Sequence, residues 1–287
     1  MTNQTNAPRY GGRALRNGVM MMGPHSMAVA VRQPDGRITT AVEPIDPWGE
    51  WSRNIPFVRG LVAFAGMMKL ARGAGRLEGK LNGGSKWRAL MPQLAPGVGV
   101  AIAERLTSEL SKRSDTRMVM PIEAVGGVAL PFLAFGLSGK LPGVRELWRY
   151  HGAEHKAVNN AESDLDLTAL NAATMSRVHP RCGTVLAFWG LLGGFLTRSH
   201  VSRLPNGPRK SITSAIAGPL VLSTAYELVR LGARYRHHPI GAAVFGPSWQ
   251  TQRLTTAEPG LEELEVAVAA LQAVIDFEEE LIQAEAA

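Results

Sequence analysis

MVMPIEAVGGVALPFLAFGLSG, residues 118–139, is the stretch that decides what kind of fold this chain has. Taken as one helix it is long enough to cross a bilayer, which requires about 20 mostly apolar residues. It also carries Glu123, two prolines and several glycines, which a core helix of a soluble protein tolerates equally well. Working outward, Gly183–Thr197 (GTVLAFWGLLGGFLT) and Ile212–Tyr226 (ITSAIAGPLVLSTAY) are apolar but short, and Ala89–Ala103 is weaker. Together they crowd one half of the chain with long apolar segments punctured by Gly and Pro, as multi-pass bundles do. The alternative is a soluble helical core.

The flanks read differently. Residues 1–9 are polar and expected to be disordered. Met27–Val31 and Arg37–Val42, joined across Pro34-Asp35-Gly36, read as a β-hairpin, because β-branched residues flank a turn sequence. Ile55–Leu70 reads as a buried or interfacial helix with Arg59 and Lys69 inside it, and the Gly-rich basic run 71–88 as a linker. At the other end, Pro259-Gly260 opens an amphipathic helix. Leu261, Leu264, Val268, Leu271 and Ile275 form its apolar stripe, and Glu278-Glu279-Glu280 its acidic end. Packing against the body of the protein is the first reading of that stripe, and a protein partner the second.

The expected fold is therefore mainly α with a small β-hairpin region. It divides into an N-terminal α+β portion at 10–88, a helical, membrane-embedded bundle at 89–231, and a C-terminal segment at 232–287 with the acidic helix.

Composition narrows the function classes. Net charge is +7, 45% of residues are hydrophobic and 19% charged, with a mean hydropathy of −0.02. A basic balance suits an anionic membrane surface; few aromatics and no base-reading motif argue against nucleic acid. The single cysteine, Cys182, excludes an internal disulfide and fits a reducing compartment. The N-terminus has no apolar stretch of the kind a cleavable signal peptide needs.

The chemistry concentrates in Tyr150-His-Gly-Ala-Glu-His-Lys156. Pro142 suits the first turn of a helix, along which Val144, Leu147, Trp148, His151, His155 and Val158 follow the helical period. Four-residue spacing puts both imidazoles on one face with Glu154 beside them. Burying these groups without partners costs several kcal/mol, and a divalent cation satisfies all three. His-x-x-Glu-His is also the spelling of the inverzincin metalloprotease motif. A second cluster, Arg177-Val-His-Pro-Arg-Cys-Gly183, places His179 and Cys182 three apart in a bent turn. Nitrogen and thiolate ligands in a tetrahedron are what Zn²⁺ favours, so His151, His155, His179 and Cys182 are the expected metal ligands. His25, His200, His237 and His238 lack such context and read as loop residues.

The chain resembles the YqhQ-like family, a domain-of-unknown-function family described as predicted metal-dependent enzymes. The resemblance rests on Tyr10-Gly-Gly-Arg-Ala14 with Gly18-Val-Met-Met21; Ile55-Pro-Phe-Val-Arg-Gly60; the Tyr150–Lys156 run; His179-Pro-Arg-Cys-Gly-Thr184; Tyr226-Glu227; and Gln252–Pro259 followed by Glu265-Val-Ala-Val268. It implies a multi-pass membrane protein, a four-helix bundle with both His clusters between the second and third spans. It carries no established substrate. Two positions depart from the family's usual opening: Arg13 stands where relatives have Gln, and Asn17 where they have Glu.

The expectation is a zinc-dependent membrane protein, a hydrolase in which Glu154 activates a metal-bound water, with Arg181 and Lys156 placed to hold an anionic substrate or to meet lipid phosphates. The alternative is a non-catalytic membrane scaffold or assembly factor with a structural metal. Membrane lipid is the expected partner and the cell membrane the expected location. The His/Cys motifs are expected on the cytoplasmic side, where a thiolate survives.

Overall fold

The computed structural model describes residues 10–45, 49–82, 86–114, 118, 121–123 and 125–286. The expected disorder of residues 1–9 lies outside this set.

Four strands, β1 (Gly11–Leu15), β2 (Gly18–Met22), β3 (Ser26–Arg32) and β4 (Ile38–Pro44), form an antiparallel meander in sequence order. The expected hairpin is its second half, β3 and β4. β1 and β2 give a weak sequence signal because each is five residues long and opens on glycine. Arg16 and Asn17 make the turn between them, with Asn17 at φ 55°, a conformation that asparagine tolerates.

The inner strands are buried on both faces, so they read as apolar runs rather than alternating patterns. Period-two geometry sends Ala14, Val19, Met21, Ala28 and Ala30 to one side, and Leu15, Met20, Met27, Val29 and Val31 to the other. Helix α1 (Val58–Asn82) covers the second side with Ala74 and Leu77. It continues through most of the run expected to be a linker; residues 71–82 are helical. Burial of Ala74 and Leu77 against the sheet outweighs the helix penalty of the run's glycines.

The first side receives α4 (Pro142–Ala161) and α10 (Leu261–Ala286). Ala28 and Ala30 face Ala267 and Ala270, and these small side chains let helix and sheet approach closely. Of the expected stripe, Leu264 and Leu271 are inside the core at 1% and 0% exposure, Val268 and Ile275 pack at its edge, and Leu261 is half exposed. What α10 leaves for a protein partner is an acidic face. Glu278 on that helix turns inward and accepts hydrogen bonds from the His25 backbone N–H and the Ser26 hydroxyl, both at 2.8 Å. The N-terminal portion, α4 and the C-terminal segment therefore share one core rather than standing as consecutive units.

The remaining helices are α2 (Lys86–Arg113), α3 (Leu130–Ser138, preceded by a π turn at Val125–Ala129), the short α5 (Ala169–Thr174), α6 (Gly183–Ser202), α7 (Pro208–Arg234), α8 (Pro239–Gln250) and α9 (Gln252–Thr255). Two runs among the described residues are long and apolar enough to cross a membrane, Pro121–Ser138 and Pro208–Arg234. Gly183–Thr197 forms most of α6 and Ala89–Ala103 lies within α2; neither meets that criterion.

Candidate metal centre

Helix α4 begins where Pro142 occupies its first turn, and its second half is buried on nearly every side. Strand β1 lies over it. A Cβ on Gly12 would stand 2.8 Å from Glu154 Cγ and 2.6 Å from the Met20 carbonyl oxygen, so only glycine lets the strand pass there. On another side, the segment after α9 crosses α4 at Gly152, where any Cβ would overlap the Ala257 carbonyl oxygen. The Ala257 N–H donates to the Trp148 carbonyl at 2.9 Å and fixes that crossing.

The third wall is the turn His179-Pro180-Arg181-Cys182, closed by the Cys182 N–H donating to the His179 carbonyl at 3.3 Å, with proline at its second position. Cys182 then caps α6, its sulfur accepting the Thr184 N–H at 3.3 Å.

These walls bring three of the expected ligands together. One ligand atom each from His151, His155 and Cys182 lies within 4.8 Å of the others. Cys182 Sγ is 3.4 Å from His151 Nε2, close to the separation of roughly 3.5 Å between two ligands on one tetrahedral zinc. Each histidine is held through its other nitrogen. His151 Nδ1 is 2.9 Å from the Thr255 carbonyl oxygen and His155 Nδ1 is 2.6 Å from that of Arg177. A carbonyl only accepts, so Nδ1 carries the hydrogen in both rings, and the lone pair of neutral imidazole sits on Nε2, facing the site. Orientation of this kind is what ligating histidines require. Glu154 Oε2 is 3.9 Å from both Nε2 atoms.

His179 does not join this group. Its backbone is gripped by Gln252, whose side-chain oxygen accepts the His179 N–H and whose amide donates to the His179 carbonyl, each at 2.9 Å. Its ring is turned so that Nε2 lies 3.6 Å from Glu162 Oε2, beyond hydrogen-bond length, as a buried nitrogen without a partner. Of the four residues expected from spacing, the structure brings His151, His155 and Cys182 together and leaves His179 beside them. Arg181 and Lys156, expected at a substrate anion, have internal partners. Arg181 pairs with Glu162, while Lys156 Nζ donates to the Ala173 carbonyl at 2.8 Å and meets Glu258 at 2.7 Å.

The electrostatics suit a cation. Burial alone would push the Cys182 thiol up, but the imidazoles of His155 and His151 outweigh it and hold the thiol well below its ordinary value. Burial likewise acts to depress His155, and the neighbouring sulfur reverses this and raises it to about 9. His151 is raised by the same balance. His179 has no such neighbour, and burial lowers it despite Glu162. These neighbours favour the thiolate, which is the form of cysteine that binds metal. Two imidazoles and a thiolate are a donor set that fits zinc.

Gln252, Thr255 and Arg177 were not among the expected site residues. The first two lie in the Gln252–Pro259 run that carries part of the family resemblance. The two replaced family positions lie elsewhere: Arg13 projects to the α1 side, toward Glu78, and Asn17 forms the β1–β2 turn.

The "Uncharacterized protein YqhQ" of Bacillus subtilis (strain 168) is 26% identical over 313 residues, a match that covers 94% of this chain and 93% of that relative. No solved structure matches the chain. Residues 55–277 match the family described as "Protein of unknown function (DUF1385)", and with well over half of its length matched, the chain belongs to that family.

Proposed function

We propose that this chain is a multi-pass membrane metalloprotein in which His151, His155 and Cys182 hold a divalent ion, zinc first, and Glu154 is the general base of a hydrolytic reaction. The observation that carries the reading is the pair of Nδ1 contacts to the carbonyls of Thr255 and Arg177, which aim both Nε2 atoms at the Cys182 thiolate. Zinc held by His151, His155 and Cys182 would supply Lewis-acid polarisation. This chain's own residues do the rest. Glu154, between the two imidazoles, would accept a proton at its carboxylate from water in the site, and Gly12 gives its side chain room.

The membrane part of the reading is supported by the two apolar runs and by the faces that helices leave uncovered. Val98, Ile102, Leu106 and Leu110 on α2, and Ile212, Ile216 and Leu220 on α7, recur every fourth residue, and each is more than half exposed. Lipid is the medium that suits such stripes.

Burial of the cluster favours a second reading, a scaffold with a structural ion, since His155 is 2% and Glu154 6% exposed. Metal analysis of the purified protein tests the common premise: about one zinc per chain is expected, lost in His155→Ala. Absence of any stoichiometric transition metal in the wild type sinks both readings. Glu154→Gln separates them. It keeps the metal in either case, abolishes the complementing activity if the site is catalytic, and leaves it intact if the ion is structural.

For topology, the His/Cys site is placed on the cytoplasmic side. Cysteines introduced at Asp164 and Asn206 report on it: the second is expected to label from outside intact cells and the first only after permeabilisation. The reverse pattern inverts the assignment.

A further inference from the structure

On the opposite side of the sheet from the His/Cys cluster lies a recess of about 390 Å³, enclosed by α1, the β2–β3 turn, the end of β4, the 49–53 turn and the last turns of α7. Its wall carries five cationic side chains, Arg53, Arg59, Lys69, Arg76 and Arg230, against two carboxylates, Glu43 and Glu50. Arg59 donates from Nε to Glu227 at 2.7 Å, and Arg53 pairs with Glu50 at 3.0 Å. Arg76 and Arg230 make no hydrogen bond or ion pair among the described residues. They come from different helices, α1 and α7, yet line the same space. The rest of the lining is largely apolar, including Met27, Val62 and Leu70.

We propose that this recess binds a phosphate ester, with Arg76 and Arg230 closing on the phosphate from two sides and the apolar wall taking the non-polar part of the ligand. Guanidinium is the side chain best matched to phosphate, because its planar fork donates to two oxygens at once. The position of the recess selects an anionic phospholipid headgroup as the source. Tyr226 and Arg230 occupy the end of α7 beyond its exposed Ile212, Ile216 and Leu220, which is the level of lipid phosphates if α7 spans. The choice of source, but not the phosphate site, rests on the membrane reading above.

The test uses the full-length protein in detergent and native mass spectrometry with three probes: short-chain phosphatidylglycerol, short-chain phosphatidylcholine and inorganic phosphate. Phosphatidylglycerol is expected to bind about tenfold tighter than phosphatidylcholine, and each of Arg76→Gln and Arg230→Gln to weaken it by about tenfold. Arg209→Gln, which removes a cation at the far end of α7, leaves binding unchanged. Retained zinc content shows that each variant is folded. Equal binding of the two lipids, or equal losses with Arg209→Gln, overturns the proposal. Binding of inorganic phosphate that matches phosphatidylglycerol and depends on Arg76 and Arg230 moves the source to a soluble phosphate ester and overturns the lipid assignment. Recovery of the wild type from cells without detergent sinks the membrane reading separately, leaving the arginine dependence to be read by itself.

Discussion

Helix α4 buries Glu154, His155, Lys156 and Asn160, whereas α7 leaves Ile212, Ile216 and Leu220 at 62%, 56% and 53% exposure. The two helices solve opposite problems. The polar groups that α4 buries face specific pieces of the chain: the His151 and His155 imidazoles 3.9 Å from Glu154, the Arg177 carbonyl at His155, the Ala173 carbonyl and Glu258 at Lys156, and the Thr168 N–H at Asn160. Desolvation of such groups is tolerable only with partners in place, so the α4 region is specified residue by residue. Nothing described meets the stripe of α7, and its side chains are interchangeable apolar ones. On the proposed function, chemistry belongs to the region where polarity is enclosed, and the stripe answers to its surroundings.

The contrast breaks most sharply at Gly152. Gly152→Val places side-chain atoms where the Ala257 carbonyl lies, and it is expected to cost about 4 kcal/mol, at the upper end of overpacking. Because the displaced segment carries the Thr255 carbonyl that orients His151, zinc content should fall along with thermal stability. A variant with unchanged Tm and full zinc would show that this crossing is not as tight as described.

Gln252→Ala comes next. The side chain is fully buried and holds both backbone groups of His179. Removing it strands a buried donor and a buried acceptor, a loss of about 3 kcal/mol. The 177–182 turn should loosen, and metal affinity should drop more than in His179→Ala, since His179 lies outside the group of His151, His155 and Cys182. The reverse order of those two affinities would restore His179 as a ligand.

Much of this was readable beforehand, for reasons that differ by region. Pro142, the His151/His155 spacing and the Pro259-Gly260 start are local signals, and the helices begin where those residues put them. The β3–β4 hairpin declared itself through Pro34-Asp35-Gly36. What sequence spacing could not supply was direction. His179 and Cys182 are three apart in one turn, yet only Cys182 faces His151, because Gln252, 73 residues away, fixes the His179 backbone. The helical continuation of α1 through 71–82 was hidden for a similar reason: its glycines argue locally for a linker, and the sheet that holds it is remote in sequence.

On the other side of the comparison, Ile216→Lys sharpens the meaning of the α7 stripe. In water an exposed Ile→Lys change stays within about 0.5 kcal/mol. In the apolar part of a bilayer it costs about 3 kcal/mol or more, the lost favourable Ile term added to the Lys penalty. The expected outcome is a reduced membrane-inserted fraction after carbonate extraction, with the α4 cluster still binding zinc. Unaltered membrane retention would make the stripe a surface for something other than lipid.

Glu162 tests where the two regions join. It follows α4 directly, and its carboxylate meets His179, Arg181 and Arg236, the last from just beyond α7. Burial would push this carboxyl up, but those cationic neighbours and His179 overcome it and hold it at about 2. A folded-state value depressed below the ordinary one contributes stability that is complete above the ordinary carboxylate range and is lost as pH falls from about 4.5 toward about 2. With allowance for its partial exposure, the contribution is about 2 kcal/mol at neutral pH. Glu162→Gln should therefore lower Tm at pH 7, and the gap to wild type should close steadily below pH 4.5 and vanish near pH 2. A gap that persists unchanged into acid would mean that the carboxylate matters for its shape and not its charge. The join between the enclosed polar region and the apolar helices would then rest on packing alone.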